Sequence, residues 1–207
     1  MGTLNCAVIG LGMMGQRHAR IWKELPQTRL LGVYDIVPER TQEWAGTLDC
    51  QACASLEELL ALPGLDLVSI CTDDQLHVAP CAASAAAGKH ILVEKPLATS
   101  VADADTIIAA CRNNGVLLMV GHVVRFDPRY QVAKQAIDAG EVGDVVQVFG
   151  RRNNVVSSGR RIGSRTSVAF FLGAHDLDLM RWFCGSEVVR VYAESASKVL
   201  TDLGCED

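Results

Sequence analysis

The stretch Val8-Ile9-Gly10-Leu11-Gly12-Met13-Met14-Gly15 reads as the end of an apolar strand running into G-x-G-x-x-G. Glycines at this spacing handle anions through the backbone. Gly10 permits a tight bend, Gly12 lets main-chain amides approach a diphosphate, and Gly15 lets the next helix pack on the strand. The partial positive charge at that helix's N-terminus favours the same anion. Taken alone, the spacing also arises from an ordinary glycine turn. Its setting narrows the reading. A second apolar strand over 30–34 ends in Asp35, twenty positions past Gly15. A carboxylate there accepts hydrogen bonds from the ribose hydroxyls of NAD and repels the 2′-phosphate of NADP. The competing reading of Asp35 is a cap for a helix beginning near Pro38. Together these residues predict dinucleotide binding, with NAD favoured over NADP.

The elements that must position these groups follow from periodicity. Apolar residues three to four apart run from Met14 through Ala19, Trp22 and Leu25, a helix packed on the first strand. A helix over 38–48 has proline in its first turn, and Ser55-Leu56-Glu57-Glu58 fits a capping box opening another. Strands over 66–72, 90–93 and 116–120 alternate with helices over 76–87 and 100–113. Strand–helix alternation with short connections is the pattern of a doubly wound parallel sheet. The domain break falls just after Gly121-His122. Beyond it the pattern predicts helices over 128–139 and 174–183, strands over 145–149 and 188–193, and a polar tail.

Composition bounds the function class. With 49% hydrophobic residues in 207, the chain buries a full core. Only 5% are aromatic, so small aliphatic side chains must pack helices onto the sheet. The net charge of −5 argues against a nucleic-acid surface. That charge sits in the first 120 residues, with 8 basic and 13 acidic groups, against 11 of each beyond. No basic leader precedes the first strand, and the most apolar helix candidate, over 78–87, is too short to span a bilayer. The expectation is a soluble cytoplasmic protein without a membrane partner. Eight cysteines are scattered over expected strands and helices. Cys50 and Cys53 form a single C-x-x-C with no second pair for zinc, in what looks like a short strand, so packing is the expected role and no metal site is expected.

Several pieces then line up in order: the glycine turn, Asp35, Thr72-Asp73-Asp74-Gln75-Leu76-His77, Glu94-Lys95-Pro96, Gly121-His122 and Gly173-Ala174-His175-Asp176. The ordered set resembles the Gfo/Idh/MocA oxidoreductases, the sugar and inositol dehydrogenases. The resemblance implies an α/β chain with an N-terminal Rossmann domain over 1–121. A C-terminal α/β domain over 122–207, with an open mixed sheet, would serve substrate binding and homo-oligomer formation. It implies Gly10, Gly12, Met13 and Met14 at the pyrophosphate, Asp35 at the adenosine ribose and Arg40 near the adenine. Thr72, Asp73 and His77 would lie along the cofactor, and Glu94 and Lys95 beside the nicotinamide ribose. His175 matches the family histidine facing the nicotinamide. Family chains are usually longer, so a C-terminal domain cut short is expected, leaving an unpaired sheet edge.

The chemistry asks for these residue types on its own account. Oxidising a secondary alcohol requires a base near neutral pKa at the hydroxyl, which suits His175. A lysine ammonium stabilises the developing alkoxide, and Lys95 follows a buried strand at the carboxyl end where open α/β sheets bind ligands. The bland readings are a capping or core histidine and a solvated loop lysine. One departure stands out: the family pattern has aspartate four residues before the histidine, and here that position is Phe171. Arg151, Arg152, Arg160, Arg161 and Arg165 crowd one loop-like stretch, which either binds a substrate anion or is a solvated loop. Arg125 and Arg165 are the foremost substrate candidates beside Lys95 and His175. The expected function is an NAD-dependent oxidoreductase acting on a CH–OH group of a polyol, sugar or sugar derivative. The alternatives are a non-catalytic dinucleotide-binding or interaction module, and an enzyme of a non-sugar substrate such as an imine or tetrapyrrole.

Overall fold

Strand β1 (Leu4–Ile9) is buried on both faces, with Cys6, Ala7, Val8 and Ile9 at most 2% exposed. That is the environment of a central strand in a parallel sheet covered by helices on each side. The computed structural model describes residues 2–203; the last four, the end of the expected polar tail, lie outside the described residues. The chain divides into two compact units, with the break between Gly121 and His122.

The first unit continues through α1 (Met13–Glu24), β2 (Thr28–Tyr34), α2 (Pro38–Leu48), β3 (Gln51–Ala52), α3 (Leu56–Leu60) and β4 (Leu67–Ile70). Then come α4 (Val78–Ala86), β5 (His90–Glu94), α5 (Val101–Asn113) and β6 (Leu118–Gly121). All strand pairs are parallel, in the order β3-β2-β1-β4-β5-β6. The order reverses between β1 and β4, so the crevice at their carboxyl ends is the place where such sheets take ligands. The pleat sends alternate residues to two core layers. Val8, Leu30 and Val33 meet Ala19, Trp44 and Leu48 on the α1–α2 side. Ala7, Ile9, Val68, Ile91 and Val93 meet Leu59, Cys81, Ala85 and Ile107 on the other. Helix starts use the expected chemistry: the Glu58 amide donates to Ser55 Oγ, and the Asp103 amide to Ser100 Oγ. The C-x-x-C straddles β3 as packing. Cys53 is buried and Cys50 half-buried, both thiols are free, and burial pushes each up to about 11.

The second unit holds α6 (Pro128–Asp138), α7 (Val156–Ile162) and α8 (Ala174–Cys184), with a π-helical turn at Ala169–Gly173 leading into α8. Two expectations are corrected. Residues 145–149 and 188–193 do not form strands. A strand exists only as the hydrogen-bonded partner of another, and among the described residues these segments pair with none. Most of their apolar side chains stand in solvent, Val146 at 94% and Val189 at 98%. The arginine stretch is not a plain loop either, since α7 lies within it. Among the described residues of this unit, Leu179 and Leu200 are the buried apolar side chains. No described helix is long and apolar enough to cross a membrane.

Candidate functional site

The three glycines of the first turn meet three different environments. Gly10 has φ +85°, and a Cβ there would come within 2.8–2.9 Å of the Cys71 and Thr72 backbone. A Cβ on Gly15 would stand 1.8 Å from the Gly10 carbonyl oxygen. Both positions are closed by backbone that cannot move aside. Gly12 differs: a Cβ there meets nothing within 4 Å. Gly12 caps α1 without a side-chain bond, and the first turn carries no acidic residue. The amides of Met13 and Met14 therefore begin a helix whose N-terminal charge is left for a ligand. The open space at Gly12 is the cradle a diphosphate requires, so the residues present fit a dinucleotide.

Asp35, at the carboxyl end of β2, is 7% exposed. Its Oδ2 accepts from the Leu11 amide at 2.6 Å and its Oδ1 from the Val37 amide at 2.9 Å. One carboxylate thus ties the glycine turn to Val37, the residue at which α2 begins. The Arg40 guanidinium reaches both oxygens at 3.1–3.2 Å. Arg40, expected near the adenine, is paired with Asp35.

At the end of β4, Thr72 Oγ1 is buried without a hydrogen-bond partner. Asp73 precedes the 3-10 turn Asp74–Leu76 and closes it, its carbonyl accepting from the Leu76 amide. His77 needs correction. Expected along the cofactor, its ring is 1% exposed. Nδ1 lies 3.0 Å from the Pro96 carbonyl and Nε2 3.2 Å from that of Thr72. It braces the β4 and β5 loops rather than lining the cleft.

Glu94 ends β5 and is 8% exposed. Burial pushes its carboxyl up, but hydrogen bonds from His18 and the Lys95 amide, with the nearby charges, outweigh this and hold it below the usual carboxylate range. Lys95 follows, and burial lowers its ammonium below the ordinary lysine value against the pull of Glu94 and Asp74. A half-buried lysine at the carboxyl end of a parallel strand can stabilise negative charge on an oxygen. His18 was missed by the sequence reading. Its signal was present, since Gly15, His18, Ala19 and Trp22 recur at helical spacing on the face of α1 turned to the sheet.

In the second unit, His175 stands in the first turn of α8, half-buried. Phe171, one turn earlier in the π-helical segment, lines a cavity of about 590 Å³ with Leu172, Thr166 and Leu200. The two arginines read as substrate ligands turn to the protein itself. Arg125 grips Asp178 through two hydrogen bonds of 2.7 Å, and Arg165 donates to the Ile162 and Arg161 carbonyls at the end of α7. Arg152 grips Asp176 in the same bidentate way. Bidentate pairing with a carboxylate satisfies the groups that a substrate anion would need. Both α8 aspartates went unrecognised as the arginines' partners in the sequence. Among the described residues no cluster of His, Cys, Asp or Glu could hold a metal ion.

Comparison with known proteins decides what this arrangement belongs to. The family model for the oxidoreductase family with an NAD-binding Rossmann fold, Gfo/Idh/MocA, matches residues 4–122, and that of the GFO/IDH/MocA C-terminal domain matches 130–207. This chain belongs to the Gfo/Idh/MocA oxidoreductase family. The NAD(+)-dependent scyllo-inositol 2-dehydrogenase of Bacillus subtilis is 32% identical over 191 residues, 91% of this chain and 56% of that protein. The 2,7-anhydro-N-acetylneuraminate hydratase of Mediterraneibacter gnavus is 30% identical over 190 residues, 89% of this chain and 50% of that protein. Among solved structures, the UDP-N-acetylglucosamine 3-dehydrogenase of Acidithiobacillus ferrooxidans superposes with a TM-score of 0.79 at 31% identity, covering 96% of this chain and 62% of that one. The Gfo/Idh/MocA chain described here spans little more than half the length of the curated relatives it matches. Its first unit is the family's NAD-binding Rossmann domain.

Proposed function

We propose that this Gfo/Idh/MocA protein moves a hydride between NAD and a secondary hydroxyl of a sugar, inositol or related compound. The observation that carries the reading is the opening at Gly12 between two closed glycines, at the β1–β4 switch point, with Lys95 at the end of neighbouring β5. NAD, when bound, supplies the hydride carrier. Lys95 stabilises negative charge on the reacting oxygen, and His175 takes the hydroxyl proton. Asp35 favours NAD over NADP, although Arg40 beside it offers a cation that a 2′-phosphate would seek. The dehydrogenases of scyllo-inositol and UDP-N-acetylglucosamine support a cyclic polyol or sugar as substrate, and the hydratase a wider range of sugar chemistry.

The test is reduction of NAD, followed by nicotinamide absorbance, across a panel of inositols, sugar acids and nucleotide sugars. Reduction with at least one compound supports the proposal; silence across the panel by protein that binds NAD overturns it. One observation favours a second reading, a dinucleotide-binding module without turnover: Phe171 stands four residues before His175, where the family pattern has a carboxylate. That reading predicts the silent outcome. A reducing compartment such as the cytoplasm suits the free described cysteines. A homo-oligomer formed through the second unit suits its exposed Val146, Phe149, Val189 and Tyr192; light scattering checks it.

A further inference from the structure

A line of hydrogen bonds runs from α1 to the end of β5, and its parts fix one another. Trp22 Nε1–H, which can only donate, donates to Ser69 Oγ at 2.8 Å. Ser69 is fully buried in the middle of β4. Its hydroxyl lies 3.2 Å from His18 Nδ1, and His18 Nε2 lies 3.0 Å from Glu94 Oε1. The other carboxylate oxygen accepts from the Lys95 amide at 3.1 Å. A carboxylate only accepts, so Nε2 carries a proton. In the neutral ring Nδ1 then accepts, and the Ser69 hydroxyl points to it. With the ring neutral the donors run in one direction: Trp22 to Ser69, Ser69 to His18, His18 to Glu94. Gly121 completes the enclosure, since a Cβ there would stand 3.3 Å from Glu94 Oε1. The carboxylate beside Lys95 is thus held from α1, from its own strand end and from β6.

We propose that His18 is a positioning residue for Lys95, acting through Glu94. It fixes the carboxylate that accepts from the Lys95 amide and locks the helix that carries the glycine turn to the strand end that carries the lysine. The consequence for turnover rests on the reading of Lys95 given under Proposed function; the contact itself does not.

The test therefore has one readout that needs no substrate. In the full chain, the rate at which limiting acetic anhydride labels Lys95 is measured by peptide mass spectrometry, relative to the other lysines. His18→Leu removes the donor to Glu94, and His18→Gln keeps an amide N–H of similar reach. Glu94, released, no longer pins negative charge beside Lys95, so more of the amine is free and labelling speeds up by about threefold or more in His18→Leu. His18→Gln returns the rate to within about twofold of the parent. Ser69→Ala, a smaller change, is expected to move the rate in the same direction and serves if His18→Leu does not fold. Where the parent turns over an inositol or sugar, kcat falls by about tenfold or more in His18→Leu while the Michaelis constant for NAD stays within about threefold. Labelling that is unchanged or slower overturns the inference, as does a glutamine variant as disturbed as the leucine one. Changed labelling in a protein that turns over nothing upholds the His18 contact and counts only against the oxidoreductase reading.

Discussion

Lys95 is held where burial works against its charge while Glu94 and Asp74 restore part of it. If its ammonium stabilises the reacting oxygen, Lys95→Met lowers turnover by about a hundredfold or more, with NAD affinity nearly unchanged in calorimetry. The sign of its pH dependence follows. The lowered pKa means that the ammonium is lost, and the rate falls, as pH rises through a value below that of a free lysine, which a pH–rate profile detects. Asp35 has two duties, and replacing it tests both. Asp35→Ser removes the acceptor for the Leu11 and Val37 amides and releases Arg40. NAD binding is expected to weaken by about tenfold while NADP gains relative to it, as parallel titrations would show. At this scale the sequence pointed to Lys95, Asp35 and the glycines because each ends a strand or opens a helix. It misplaced Arg125, Arg165 and His77 because spacing says what a side chain can bond, not which internal partner reaches it first.

Helix α1 is the element on which the cofactor cleft turns. A Cβ on its Gly15 would stand 1.8 Å from the Gly10 carbonyl oxygen, so Gly15→Ala is expected to cost about 3 kcal/mol or more in denaturant unfolding, because backbone cannot yield as a side chain does. The same helix reaches β5 through His18 and Glu94. Glu94's folded pKa lies below its ordinary value, so its contribution to stability is present above the ordinary carboxylate pKa and is lost as pH falls through the lowered one. Glu94→Gln should flatten the acid limb of the stability curve, as thermal melts across acidic pH would check. Elements of the first unit were legible because strand burial and helical spacing agree there. Residues 145–149 are similarly apolar, and 188–193 alternate, without a partner among the described residues. Alternation reports which side chains would be buried in a sheet, not that a neighbouring strand is present.

On the scale of the molecule, a well-packed parallel sheet unit stands in one chain with a helical unit whose buried apolar side chains are few. The helical unit relies more on paired charges, of which the Arg125–Asp178 bridge is the clearest. Arg125→Ala should therefore lower its stability by about 1–2 kcal/mol, the partial exposure of the arginine keeping the figure modest. The account as a whole depends on a dinucleotide lying against the backbone at Gly12, and calorimetric titration of Gly12→Ala with NAD tests that directly. The added methyl meets nothing within 4 Å, so the fold should melt within about 2 °C of the parent, while NAD affinity falls by about tenfold or more because the methyl fills the space of the diphosphate. Equal NAD binding by the parent and the variant, or no binding by the folded parent, would contradict the account.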